Sequence, residues 1–298
     1  MRILVTGASG LIGSALVSFL TADGHAVTTL TRAHPRPGQA EAHWDTAAEK
    51  LDPMVLQGVD AAVHLAGESI AQKWTPARKA RILKSRARGT RLLSESLARL
   101  TQPPRVLICA SAIGYYGDRG EEVLTEESPS GVGFLAEVCR QWEAACEPAV
   151  RRGIRVVNLR TGIVLSAAGG VLQRMLLPFR MGLGGIIGSG QQYVSWIALD
   201  DLIGVIVHAL TCDTLAGPVN AVAPHPVTNL EFTKTLGRVV RRPTVFRVPA
   251  WVARLTFGEM ADALLLASAR VQPARLVASG YVFSYPELEG ALRHVLGE

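Results

Sequence analysis

The stretch that decides the fold is Met1-Arg-Ile-Leu-Val-Thr-Gly-Ala-Ser-Gly-Leu-Ile-Gly-Ser-Ala-Leu-Val17. Arg2 to Thr6 is a short apolar run with β-branched residues, the pattern of a buried strand. Gly7, Gly10 and Gly13 follow in a GxxGxxG spacing. Ser14 to Leu20 then repeats apolar side chains at helical intervals, and Gly24 is placed to stop that helix. The unit reads strand, glycine turn, helix. Gly7 takes the tight turn, Gly10 lets a pyrophosphate approach the backbone, and Gly13 lets the helix pack close to the strand. N–H groups at the helix start, around Ser9, Leu11 and Ile12, then face the anion. An ordinary glycine loop is the alternative, and the flanking strand and helix argue against it.

Working outward, Ala26 to Leu30 is a second strand, and the residues after it select the cofactor. A ribose 2′-hydroxyl is usually held by Asp or Glu near this strand's end. This chain has Thr31 and Arg32 there, with His34 and Arg36 behind. An arginine pairs with a 2′-phosphate that a carboxylate would repel, so NADP(H) is expected over NAD. Asp45 meets an adenine edge or simply makes a turn. Val59 to Ala66 is a third strand, and its end brings Leu65, Ala66 and Gly67 to the cofactor. His64, inside that strand, reads as a core histidine. Ala77 to Leu100 is a long basic helix, mostly a solvated face. Arg105 to Ala110 delivers Ser111-Ala-Ile-Gly-Tyr-Tyr-Gly117. Hydroxyls of Ser111, Tyr115 and Tyr116 at a strand's carboxyl end can bond a carbonyl or alcohol oxygen. Buried Ser and packed Tyr is the equal alternative.

The chain has 298 residues, 48% hydrophobic and 19% charged, enough to bury a sizeable core. A net charge of +6 with scattered basic residues suits an anionic small-molecule partner and argues against nucleic acid. Cys109, Cys139, Cys146 and Cys212 have neither CxxC nor metal-ligand spacing, so no metal is expected. They read as reduced thiols of a cytoplasmic protein. No segment has the apolar length of a membrane span.

Those motifs together resemble the short-chain dehydrogenase/reductase superfamily, in its extended, epimerase/dehydratase-like branch. A closer likeness is to an atypical subgroup known only as epimerase-family proteins of unknown substrate. It rests on Leu65-Ala-Gly-Glu68, Ser85-Arg86, Ser111 to Gly117, Trp142-Glu143, Arg160-Thr-Gly-Ile-Val-Leu165, Leu177-Pro-Phe179, Gly188-Ser-Gly190, Ser195-Trp-Ile197 and Asn220-Ala-Val-Ala-Pro224. The resemblance implies an α/β fold: a doubly wound parallel sheet of Rossmann type with a small, mainly helical C-terminal lobe. It divides the chain into residues 1–220, which hold NADP(H), and residues 221–298, a substrate lobe. It also implies that Thr31, Arg32, Leu65, Ala66, Arg86 and Val164 line the cofactor, and that the chain forms a homodimer.

One departure matters. Active members of the superfamily carry a Tyr-x-x-x-Lys pair, in which Tyr moves the proton and Lys lowers its pKa and holds the ribose. Here that helix reads Gly133-Phe-Leu-Ala-Glu-Val-Cys-Arg-Gln-Trp-Glu143, so the pair becomes Phe134 with Val138, or Leu135 with Cys139. The usual Ser position falls on Ala112. Substitutes are Tyr115 or Tyr116 as acid, Ser111 as donor, and Glu68 or Glu137 as base. Two functions therefore stand. One is an NADP(H)-dependent oxidoreductase or epimerase-like enzyme acting on a small hydroxy or carbonyl compound, a nucleotide sugar among the candidates. The other is an NADPH-binding sensor or module without turnover.

Further on, residues 182–190 read as a flexible lid or a close packing of the chain, and Trp196 as facing a substrate or as core. Asp200-Asp201 reads as an N-cap pair, Asn229 as a cap, Met260 to Ala269 as a helix, and Tyr281 to Tyr285 as a short strand. Arg238, Arg241 and Arg242 form a cluster that holds a diphosphate or ends a helix.

Overall fold

Eight strands form one sheet in the computed structural model, which describes residues 1–298. They are β1 (Arg2–Thr6), β2 (Ala26–Thr31), β3 (Glu41–Asp45), β4 (Lys50–Leu51), β5 (Ala61–His64), β6 (Val106–Ala112), Arg155–Thr161 and Gly217–Ala221. The order across the sheet is 217–221, 155–161, β6, β5, β1, β2, β3, β4. Pairs β1–β2, β1–β5, β2–β3 and β5–β6 are parallel, while β4 turns back antiparallel on β3. From β1 the chain builds outward to β3, then returns to the other side of β1 with β5. That reversal makes the carboxyl ends of β1 and β5 the switch point, where an open α/β sheet offers its crevice. Right-handed crossovers put the two sets of connecting helices on opposite faces. The doubly wound parallel fold is therefore the one read from the glycine turn. Its central strands are unbroken apolar runs because both faces are covered: Ile3, Leu4 and Val5 are all buried.

The chain divides into two compact units. The first comprises residues 1–111, 138–159 and 206–219, and the second comprises 112–137, 160–205 and 220–298. These units interleave in sequence rather than dividing once at residue 220. Each boundary near 111, 159 and 219 falls in the last residues of a sheet strand, where the chain runs on into second-unit segments. The first unit packs Leu4, Trp44, Leu93, Leu97, Leu107, Trp142 and Cys146 around the sheet. The second packs Leu172, Phe179, Trp196, Phe232, Leu236 and Leu292. No helix is long and apolar enough to cross a membrane.

Helix α1 (Leu11–Ala22) buries Gly13, Leu16 and Leu20, and the chain leaves it through Gly24 at φ +79°. Helix α2 (Pro76–Ala98) starts on Thr75, whose hydroxyl accepts the Arg78 N–H at 3.2 Å, with proline at its first position. Helix α3 (Phe134–Ala144) comes after the Ser–Tyr segment.

Several local expectations are corrected in the second unit. Asp201 is not a helix cap: it is buried in the first turn of Leu199–Thr211 and accepts the Ser284 and Tyr285 N–H groups at 2.7 and 2.9 Å. Those bonds hold 281–285 as an irregular segment instead of a strand. Thr228, not Asn229, caps the helix Asn229–Val239, while the Asn229 amide oxygen accepts the Ile187 N–H at 2.9 Å. The glycine-dense loop contains a strand, Gly185–Ile187, paired with Phe246–Val248. Residues Ala261–Leu266 form a π-helix, and the chain becomes a strand by Arg270.

One buried clamp holds the two strand ends at the switch point. The Thr6 hydroxyl oxygen accepts the Leu65 and Ala66 N–H groups, both at 3.2 Å, and lies 2.7 Å from His64 Nδ1. With two donors already directed at it, the hydroxyl gives its own proton to Nδ1, so the ring carries hydrogen on Nε2. His64 is fully buried, and that burial pushes its pKa from 6.5 down to about 4. The unfolded chain thus takes a proton that the folded chain refuses. Stability is complete above pH 6.5 and falls as pH drops toward 4, by about 3 kcal/mol across the window. Urea unfolding at pH 7 and about pH 5 checks this. His64→Phe should be weaker at pH 7 but lose less between the two; equal losses in both proteins would refute the assignment.

Candidate functional site

The turn between β1 and α1 is built for close backbone approach. Gly7 sits at φ +72°, a conformation that disfavours any side chain. A Cβ there would stand 2.7 Å from the Leu65 carbonyl carbon and 2.8 Å from the Ala66 nitrogen. A Cβ on Gly13 would stand 2.2 Å from the Gly7 carbonyl oxygen. Both contacts are with backbone and cannot swing aside. Gly10 donates to the Gly7 carbonyl at 3.0 Å and caps α1 with no side-chain acceptor. The first-turn N–H groups beside Ser9, Leu11 and Ile12 are therefore left for an external acceptor. Ser9 and Gly10 are exposed, so an anion can reach them.

At the end of β2, Thr31 accepts the Ala33 N–H at 3.1 Å. Arg32 is exposed, and no carboxylate pairs with it. Arg36, the other candidate nearby, is held by Glu41 at 2.6 and 3.1 Å. Asp45 takes the turn role, accepting the Ala47 and Ala48 N–H groups at 2.8 and 2.9 Å, which hold its pKa below the usual range.

Gly67 comes directly after Leu65 and Ala66, and a Cβ on it would lie 3.3 Å from the Arg86 guanidinium carbon. Arg86 reaches this turn from α2. It donates to the Glu68 carbonyl at 2.9 Å and stacks 4.8 Å above the Trp142 ring. The Glu68 carboxylate is itself paired with Arg78 at 2.8 Å. The whole cradle from Gly7 to Arg86 belongs to the first unit. Val164 belongs to the second, in a strand paired with Trp196–Ala198.

The three hydroxyls have different surroundings. Ser111 is buried and donates to Glu143 Oε1 at 2.7 Å. Strand alternation puts it on the face of β6 shared by Leu107 and Cys109, the face packed with Trp142 and Cys146. Sequence reasoning gives Glu143 no role of its own, although it stands one turn beyond Cys139 on the helix that lacks the Tyr–Lys pair. In the second unit, Tyr116 is fully buried. Its hydroxyl donates to Asn220 Oδ1 at 2.7 Å and accepts from Arg160 Nη1 at 3.0 Å. Burial raises its pKa, against the opposing pull of Arg160. Tyr115 is half-buried, with the Arg160 guanidinium 3.4 Å over its ring, and its hydroxyl bonds to no protein group. Glu126 closes the network, accepting the Asn220 and Arg275 N–H groups at 3.0 and 3.2 Å. Sequence spacing carries no signal for Glu126 or Asn220, which lie 94 residues apart.

The arginine cluster of the second unit is internally bound. Arg238 pairs with Glu289 at 3.1 Å, and Arg242 donates to the Arg180 carbonyl at 2.9 Å. Trp196 is core and donates to the His225 carbonyl at 3.2 Å. No group of three metal-ligating side chains gathers in the fold.

Comparison with known proteins gives a consistent picture. Residues 3–221 match the model of the NAD dependent epimerase/dehydratase family, and residues 248–295 match a domain of unknown function, DUF1731. The epimerase family protein MT2273 of Mycobacterium tuberculosis is 44% identical over 97% of this chain and 96% of its own length. The human epimerase family protein SDR39U1 is 38% identical over 99% of this chain and 100% of its own. A crystal structure of the human protein (isoform 2), described as with NADPH, superposes with TM-score 0.90 at 36% identity, covering both chains fully.

Gly13→Ala should destabilise the fold by about 1–3 kcal/mol, the usual cost of forcing an atom into a packed site. Gly10→Ala, whose Cβ would meet the Gly7 oxygen at 3.3 Å, should cost clearly less. Denaturant midpoints of the two variants check the order, and equal midpoints would show that the turn has room.

Proposed function

The chain belongs to the NAD dependent epimerase/dehydratase family, and from that premise we propose that it binds NADP(H) and works as an oxidoreductase or epimerase-like enzyme on a small hydroxy or carbonyl compound. The observation that carries this reading is the Gly7–Gly13 turn, where backbone packs on backbone too closely for any Cβ and the first-turn N–H groups of α1 stay open to an anion. The human relative crystallised with NADPH adds support. When bound, the cofactor supplies hydride exchange at a carbon bearing oxygen. The chain holds its diphosphate against the free N–H groups of Leu11 to Gly13. Arg32, the unpaired cation at the end of β2, meets the 2′-phosphate. Arg86 steadies the turn at Leu65 to Gly67.

Of the hydroxyls, Tyr115 is the one free to move a proton, and we assign it that role. Ser111 spends its proton on Glu143, and Tyr116 spends its own on Asn220. Those two act as positioning residues. The same two bonds also favour a second reading, a module that binds NADPH without turnover. No disulfide joins the four cysteines, three of which are buried, and a reducing cytoplasmic setting would keep them so.

Fluorescence titration should give tighter binding of NADPH than of NADH. Arg32→Glu should weaken NADPH by at least ~10-fold and NADH by less than ~2-fold. Equal loss for both would remove the 2′-phosphate from the account. Turnover is read separately, by loss of reduced-nicotinamide absorbance when the NADPH complex meets a panel of carbonyl compounds. Tyr115→Phe should abolish any such loss while keeping NADPH affinity. An unchanged rate in that variant would move the proton elsewhere, and silence of the wild type across the panel would favour the binding module.

A further inference from the structure

Helix Gly170–Arg180 of the second unit is apolar on two sides. Leu172, Leu176 and Phe179 face the core. Leu177 and the capping residue Met181 lie on the outer side and are exposed. A helix that buries one stripe normally turns polar residues outward. The segments around it extend the same apolar surface. The Leu183 N–H donates to the Pro178 carbonyl at 2.9 Å, and Arg242 Nε donates to the Arg180 carbonyl at 2.9 Å. Strand Gly185–Ile187 pairs with Phe246–Val248, with Gly185 opposite Phe246. Leu183, Val245 and Phe246 are all exposed. Helix Ala250–Phe257 follows directly, buries Ala253, and turns Trp251 and Leu255 outward, one turn apart.

Large apolar side chains from three neighbouring segments are thus left in water, more than the surface of a soluble monomer usually gathers. They protrude: Leu255 is 81% exposed, Val245 74%, Leu177 68% and Trp251 66%. Side chains that stand out this far do not form the walls of a groove. They suit a soft apolar phase that closes around them. Charge then selects the kind of surface. No Asp or Glu occurs in residues 170–199 or 232–258, whereas Arg174, Arg180, Arg241, Arg242, Arg247 and Arg254 do. Arg254 draws its carboxylate, Asp262, from outside these stretches. Arg180 and Arg247 are exposed, and no carboxylate pairs with either. A second copy of this chain is a poor occupant. An isologous contact would set the same cations face to face with nothing to neutralise them.

We propose that this face of the second unit docks on a bilayer surface carrying anionic lipid headgroups. Leu177, Met181, Trp251 and Leu255 enter the boundary between headgroups and acyl chains, and Arg180 and Arg247 meet lipid phosphates. An indole suits that depth, with an apolar body and one N–H donor at its edge. No helix of the chain is long and apolar enough to span a membrane, so the attachment is peripheral and sensitive to salt. The glycine turn of the first unit contributes no residue to this face, so attachment and cofactor binding are separable by mutation.

Co-sedimentation of the full chain with lipid vesicles tests this. The vesicles are phosphatidylcholine alone, or phosphatidylcholine with about 30 mol% phosphatidylserine. Binding should be at least ~10-fold tighter to the anionic vesicles and should weaken as salt rises. Trp251 is the exposed tryptophan of the chain. Emission should shift to the blue on the anionic vesicles, and the shift should vanish in Trp251→Phe. Leu255→Asp, and separately Arg180→Gln combined with Arg247→Gln, should each weaken binding at least ~10-fold. These side chains are exposed, so the variants should keep the wild-type melting temperature and NADPH affinity. Absence of binding to anionic vesicles, equal binding to both compositions, or unchanged binding in Leu255→Asp overturns the proposal. So does a dimer in sedimentation velocity that Leu255→Asp splits, which assigns the face to a second copy. Polyglutamate bound as tightly as the anionic vesicles also overturns it and assigns the face to an acidic protein.

Discussion

The first unit depends on how closely three backbone segments approach one another. Gly7 and Gly13 meet at the end of β1, and Leu65–Ala66 comes against Gly7 from the end of β5, all with no room for a Cβ. The Thr6 hydroxyl fastens the same junction by taking two N–H groups from the β5 side and giving its proton to His64. The result is a rigid corner whose free N–H groups all belong to α1. An anion placed there gains several donors and a favourable helix dipole without moving the protein. Preorganisation of this kind is what makes backbone a good ligand for a diphosphate.

Proton chemistry obeys a different logic. Helix α3 offers Phe134, Leu135, Val138 and Cys139 where a tyrosine and a lysine would be needed. The polar residue that α3 does send to the sheet is Glu143, and it takes the Ser111 proton inside the core. That bond ties α3 to β6 and leaves Ser111 able to accept but not to donate. Tyr116 is tied just as firmly by Asn220 and Arg160. Neighbouring Tyr115 contributes its ring to Arg160 and keeps its hydroxyl unbound. Two adjacent tyrosines thus differ, one with its hydroxyl tied on both sides and one with its hydroxyl unbound.

The second unit is organised by buried polar groups that each close a long loop. Asp201 gathers residues 281–285, Glu126 gathers Asn220 and Arg275, and Ser195 gathers residues 269–271. Each is a side chain satisfying backbone donors or acceptors that would otherwise be buried unpaired.

The sequence by itself determined the strand–turn–helix start and, through the family resemblance its motifs carry, the doubly wound sheet. The start rests on local signals: a two- or three-to-four-residue period and a glycine where no Cβ fits. Trp196 as core was also legible, being large and apolar in an apolar run. Only the tertiary structure decided how the polar side chains are spent. Asp201 looked like a cap because it precedes a helix, yet its partners lie more than 80 residues away. Arg36 and Arg32 look alike in sequence, and one is paired with a carboxylate while the other is not. Periodicity reports which face a residue occupies. Whether its hydrogen-bonding capacity is used up depends on distant segments, and that is fixed only when the chain closes on itself.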